Sequence, residues 1–189
     1  MSNTQPKVVY INFFDTINDQ KIKILMAICS DVIAKEKPDV LYFLFGSSGG
    51  FVNAGIAFHN FLRALPCKVV MHNMGAIDSI ATTIFLAGEE RFAAPHSTFL
   101  FHGVEMSFQQ STTFSVHKLA EIVSQLRQDE NKIAGIYVER SKLTDQEIRD
   151  LFRQGESKDL TYAKDHEIIH EIKSPSVPKD AILISVNLN

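Results

Sequence analysis

Val40-Leu41-Tyr42-Phe43-Leu44-Phe45 is an unbroken apolar run that gives way at once to Gly46-Ser47-Ser48-Gly49-Gly50. A short run of this kind, bounded by turn residues and lacking a polar side chain at alternate positions, reads as a strand buried on both faces. Such strands belong to parallel sheets, whose neighbours must be joined by long crossovers. The flanking sequence supplies them. Residues 8–14 are a second β-type run, and Ile22, Ile24, Leu25, Ile28, Val32 and Ile33 then recur at helical spacing until residues 35–39 close that helix. A helix over 52–65 stops at Pro66, and a strand over 67–73 follows. Residues 74–90 read as a turn at Gly75 and then a buried helix entered through Asp78 and Ser79. Residues 91–94 and 98–102 are short strands separated by Pro95. This alternation specifies an α/β domain with mostly parallel pairing.

A long helix is expected over about 115–141, with Leu119, Ile122, Val123, Leu126, Ile133 and Ile136 on one stripe. Thr144-Asp145-Gln146-Glu147 has the form of a capping box that opens a shorter helix. A polar loop at 155–159 leads to a short helix near 162–167. Residues 1–173 thus form one domain, and 174–189 form a linker with a terminal strand near 181–186. The length of 189 residues and 45% hydrophobic content suit one substantial core. A net charge of -3 without a basic stripe argues against nucleic-acid binding. Cys29 and Cys67 are isolated in apolar surroundings, as reduced thiols of a cytoplasmic protein would be. There is no leader pattern at the N-terminus, and no apolar run approaches the roughly 20 residues of a membrane span.

The seven histidines are scattered. Only His166 and His170 share a helical spacing, and two histidines without further ligands read as a polar face, so neither a metal nor a cofactor is expected. Two serines compete as nucleophile. Ser48 lies in a formal Gly-x-Ser-x-Gly between a strand and a helix, the setting of a nucleophile elbow. Its glycine-rich surroundings favour another reading, a tight turn whose backbone N–H groups hold an anion. Ser79, at a helix start, is either a cap or a nucleophile. Parallel neighbouring strands put the loop after Phe45, Ser79 and the strand end at His102 on one edge, within reach of each other. His102 there would serve Ser79 as general base.

These segments carry a family likeness. From about residue 8 to 172 the chain resembles the proteolytic subunit of the Clp protease, within the ClpP/crotonase fold. Phe45 to Gly55 looks like that family's Ser-Pro-Gly-Gly loop and the Ala-Gly after it. Met74-Gly75-Ala76-Ile77-Asp78-Ser79-Ile80-Ala81 is similar to its nucleophile segment. Pro95 to His102 looks like its Pro-Asn-Ser-x-x-x-x-His. The resemblance implies repeated β-β-α units, mostly parallel strands and a long protruding helix. It implies Ser79 as nucleophile, His102 as base, and the N–H groups of Gly50 and Ile80 as the oxyanion hole, with Gly49 in the same loop. The family's triad acid precedes a Leu-Ser/Thr pair, here Leu160-Thr161. Without a gap the slot falls on Ser157, so Asp159 and Glu156 stand as alternatives.

Other departures are Asp78 beside the nucleophile, Ser48 for the usual proline, and Met106-Ser107 where the family often has glycines. Only residues 1–7 precede the first strand, where the family has further pore-shaping residues, which counts against an ATPase partner. The retained long helix implies a homo-oligomeric ring. The resemblance thus implies a serine peptidase that cleaves peptide or protein substrates through an acyl-enzyme. The alternatives are a catalytically weak structural subunit and a crotonase-type enzyme acting on acyl-CoA.

Overall fold

The computed structural model describes residues 5–108 and 113–186. In chain order its elements are β1 (Val8–Phe14), α1 (Asp19–Glu36), β2 (Val40–Ser47), α2 (Val52–Arg63), β3 (Lys68–Asp78), α3 (Ile80–Phe85) and β4 (Glu90–Ala93). They continue with β5 (Thr98–Leu100), α4 (Val116–Arg140), α5 (Asp145–Gln154), β6 (Ser157–Lys158), α6 (Leu160–Asp165), β7 (Glu171–Ile172) and β8 (Ile182–Ser185). The strands join in one sheet of order β6-β5-β3-β2-β1-β8, with β4 also beside β3 and β7 beside β4. All described pairs are parallel except β5 with β6. The mostly parallel α/β architecture expected from the sequence, and its long helix, are therefore present.

Alternation along the strands sends side chains to two unlike faces. Val9, Ile11 and Phe13 of β1, Leu41, Phe43 and Phe45 of β2, and Val69 and Met71 of β3 join the main core. There they meet Leu25, Cys29 and Val32 of α1 and Phe58 and Leu62 of α2. Phe43 meets Phe58 edge-on at 6.3 Å, and Phe13 stacks on Phe45 at 5.5 Å. Each such buried ring contributes about 1.5–3 kcal/mol relative to an exposed one. The Cys29 thiol within this core is pushed up to about 12 by burial, which keeps it protonated.

The opposite face carries Tyr10, Tyr42, His72 and Phe92, and the segment after β7 lies against it. Tyr10 Oη donates to Ser176 O (3.5 Å), and Lys173 Nζ sits 3.2 Å from the Phe92 ring centroid. His72 is fully buried between Tyr42 Oη (2.7 Å from Nδ1) and Lys173 O (3.0 Å from Nε2). A carbonyl only accepts, so Nε2 bears the proton and Nδ1 accepts from Tyr42: the ring is neutral. β2 is thus buried on both faces, by helices on one side and by the chain's own late segment on the other.

Burial lowers the pKa of His72 and of His59, whose Nδ1–H donates to Thr83 O (2.8 Å). A histidine lowered on folding binds its proton more readily in the unfolded chain. Its contribution is intact above the unfolded value of about 6.5 and is lost as pH falls below it. Thermal melts are therefore expected to show a falling midpoint from pH 7 to pH 5. His72→Gln, which keeps a donor and an acceptor but does not titrate, is expected to flatten part of that fall.

Two expectations need correction. Residues 74–78 do not begin a helix. β3 runs on to Asp78, because once β4 diverges a second neighbour, β5, pairs with its far half (Ala76 with Thr98, Ile77 with Phe99, Asp78 with Leu100). The helix that follows is only Ile80–Phe85. The stripe on α4 is also not a continuous core face. Asp129, Ile133, Ala134 and Tyr137 are buried, but Val116, Leu119 and Val123 in the first turns are exposed, because that half projects from the sheet. The capping box at Thr144 and Glu147 forms as the sequence indicates. Among the described residues, no helix is long and apolar enough to cross a membrane.

Candidate active site

The far half of β3 builds the site. β3 hands over to α3 through Ser79, whose φ of 56° and ψ of -134° are strained for any residue but glycine. A serine on a sharp, strained strand-to-helix turn is the geometry of a nucleophile elbow. That geometry occurs at Ser79 and not at Ser48, which is exposed and has no positive φ. Ser79 N–H donates to Leu100 O (2.9 Å), tying the elbow to β5. Neither Ser79 nor Asp78 caps α3. Asp78 ends β3 half-buried. Burial holds its carboxyl above the usual range, against the smaller opposing pull of the Leu100 N–H.

The glycine-rich loop after β2 closes on the elbow from the other side. A Cβ on Gly49 would stand 2.6 Å from Ser79 Cβ, so only glycine admits this approach. Gly49 N–H is occupied by Ser47 Oγ (3.1 Å). Gly50 differs. Gly49 O accepts from Ile17 N–H (2.7 Å), and Phe51 N–H donates to Ile17 O (2.8 Å). In such a bridge the intervening residue turns its own N–H away from the partner, and Gly50 itself lines the same cleft as Ser79. A Cβ at Gly50 would fall 2.0 Å from Ile17 O. Ile80, as the first residue of α3, has an N–H with no intrahelical acceptor. Gly50 and Ile80 therefore offer two main-chain donors beside Ser79, the composition of an oxyanion hole.

Gly50, Ser79, Ile80 and His102 line one cleft of about 230 Å³, floored by Thr82, Tyr137 and Phe152. No hydrogen bond joins Ser79 to His102 among the described residues, as is common in unliganded sites. His102 Nδ1 lies 2.7 Å from Gly103 O. The carbonyl can only accept, so Nδ1 carries the proton and Nε2 has a free lone pair, the tautomer that a general base requires.

The acids expected to hold His102 do not touch it. Asp159 is the N-cap of α6 and accepts from Tyr162 N–H (2.8 Å). Glu156 is exposed and pairs with Lys158 (3.1 Å), although its carbonyl accepts from Phe101 N–H (3.4 Å) one residue before His102. Each loses to a closer competitor, an orphan helix N–H in one case and an ammonium in the other. His166 and His170 have structural partners: His166 stacks on Tyr162, and His170 Nδ1 accepts from Arg91 N–H (3.2 Å). Sequence reasoning missed the strap Gly103-Val104, which carries the observed partner of His102 and bears no local signal.

Comparison with known proteins adds a second line. A family model described as Clp protease matches residues 7–175. The chain is similar to the ATP-dependent Clp protease proteolytic subunit of Lobularia maritima, with 31% identity over 127 residues, or 66% of this chain and 61% of that protein. It is also similar to the subunit of the same name from Drimys granadensis, 31% identical over 103 residues, or 53% of this chain and 50% of that protein. The chain thus spans about half to three fifths of the length of these curated relatives.

Proposed function

Because the chain belongs to the Clp protease family, we propose that it is a serine peptidase that cleaves peptide bonds through an acyl-enzyme on Ser79. The observation that carries this reading is the strained elbow at Ser79, inside the cleft that also holds His102 and the free N–H groups of Gly50 and Ile80. Ser79 Oγ attacks the scissile carbonyl and passes its proton to His102 Nε2. The oxyanion is received by Gly50 N–H and Ile80 N–H. His102 then protonates the leaving amine, and the same base activates the water that frees the acyl-enzyme. The protein works in the cytoplasm as a homo-oligomeric ring. The projecting half of α4 supports assembly, with Val116 81% exposed and Leu119 and Val123 beside it.

A fluorophosphonate probe followed by peptide mapping tests the chemistry. The label is expected on the peptide that contains Ser79. A label on Ser48, or none on folded protein, would defeat the assignment. The lack of a carboxylate on His102 favours a second reading, a catalytically weak subunit that completes a ring of active ones. Absence of co-assembly with an active homologue would remove it.

A further inference from the structure

We propose that His102 is oriented by the main-chain carbonyl of Gly103, and that Glu130 is the positioning residue that holds this carbonyl in place. The inference rests on the reading of His102 as the general base. Gly103 N–H donates to Phe152 O on α5 (3.0 Å), and Val104 N–H donates to Glu130 Oε1 on α4 (3.3 Å). Two helices thus clamp the peptide unit before Gly103 and the unit that contains the Gly103 carbonyl itself. A Cβ on Gly103 would lie 2.9 Å from Glu130 Oε1, so the carboxylate packs directly over this glycine and a side chain there would push it aside. With the strap held there, the carbonyl meets His102 Nδ1 at 2.7 Å.

A carbonyl in this position does part of what a triad acid does. It fixes the tautomer and the ring plane, leaving Nε2 bare toward the cleft. It does not supply the full negative charge that steadies the imidazolium once it forms. The arrangement is a Ser–His pair aligned by backbone, with its carboxylate one step removed and spent on holding the strap.

The test follows the imidazole of His102 by NMR, with ring nitrogens labelled, in the wild-type protein, Glu156→Gln and Asp159→Asn. Asparagine caps a helix as well as aspartate does, so the second variant removes charge without unseating α6. The His102 Nδ1–H signal is expected at the same position in all three. A marked upfield displacement in either variant, the signature of a lost charge-assisted bond to a carboxylate, overturns the proposal. Glu130→Ala is expected to speed exchange of the Val104 amide by at least about tenfold and to broaden the His102 Nδ1–H signal, with both restored by Glu130→Gln, whose side-chain oxygen still accepts. An unchanged Nδ1–H signal in Glu130→Ala removes Glu130 from the role. None of these readings needs turnover. A wild-type protein that takes no fluorophosphonate label but passes these tests defeats the peptidase reading alone. One that takes the label and fails them defeats this inference alone.

Discussion

Ser79→Ala is expected to lower peptide hydrolysis by about 10⁴- to 10⁶-fold, since the nucleophile and its base act as a unit. It is also expected to leave stability nearly unchanged. The Ser79 hydroxyl makes no capping hydrogen bond to α3, so its removal leaves no helix N–H newly unpaired. The strain at φ 56° resides in the backbone and persists with alanine. Ser79→Gly separates the two effects. It removes the same nucleophile but relieves a conformation that costs a non-glycine residue roughly 1–3 kcal/mol. Against this stands glycine's greater freedom in the unfolded chain, about 0.5–1 kcal/mol. The glycine variant is therefore expected to be inactive yet more stable than wild type by about 1 kcal/mol, read as a higher urea midpoint at constant slope. A glycine variant less stable than the alanine one would show that the elbow is not strained.

Arg91→Ala carries the largest expected loss of stability. Arg91 is 3% exposed, and its guanidinium donates only to main-chain carbonyls: Nε to Ile168 O (2.8 Å), Nη1 to Gly88 O (2.9 Å), and Nη2 to Arg140 O (2.9 Å) and Glu167 O (2.8 Å). These acceptors lie at the turn after α3, at the end of α4, and in the chain after α6. One side chain thus fastens two remote segments to the turn just before its own strand. Burial, with the charge of Arg140 adding, pushes its pKa down to about 10, so it remains charged at neutral pH. Each buried carbonyl left without a donor costs roughly 1–3 kcal/mol. Gly88 O keeps a donor in Arg140 Nη2 (3.1 Å), and not all of the other three would stay dry after truncation, so a total of about 3–5 kcal/mol is expected, comparable to breaking a buried charge from its partners. Arg91→Lys keeps the charge but lacks the planar fork that fans across these acceptors, and it is expected to recover less than half of the loss. Chemical denaturation of the three proteins checks this. Equal stability of Lys and wild type would make charge, not geometry, the cause.

What was legible in the chain followed the range of the interactions. β1, β2, α2 and the capping box at Thr144 are local features, set by apolar runs, Pro66 and side chains three residues apart, and they fall where the sequence indicates. The far half of β3 was not legible. Met74-Gly75 has the composition of a turn, and the strand is carried past it by the pairing of residues 76–78 with β5, some twenty residues later, and of Ile77 with Ser47. That pairing is also why Ser79 looked like a cap: a backbone angle forced by two neighbouring elements leaves no mark on the residue itself. The placement of His102 followed from the rule that parallel strands end on one edge. Its Nδ1 partner did not, because a main-chain carbonyl has no letter in the sequence, whereas Asp159 and Glu156 do. Arg91 gave no signal, since its acceptors are backbone atoms scattered over eighty positions.

The pairing of β8 with β1 bears on how the protein comes into being. Val9 aligns with Ile182, 173 positions further on. β1 leaves the ribosome long before β8 and must therefore wait for it before its outer edge is hydrogen-bonded. Tyr10, Tyr42 and His72 wait with it, because Lys173 and Ser176 are made equally late. Contacts so distant in sequence form slowly. A nascent sheet with its helices already packed and its aromatic side still bare is the species most prone to self-association during synthesis.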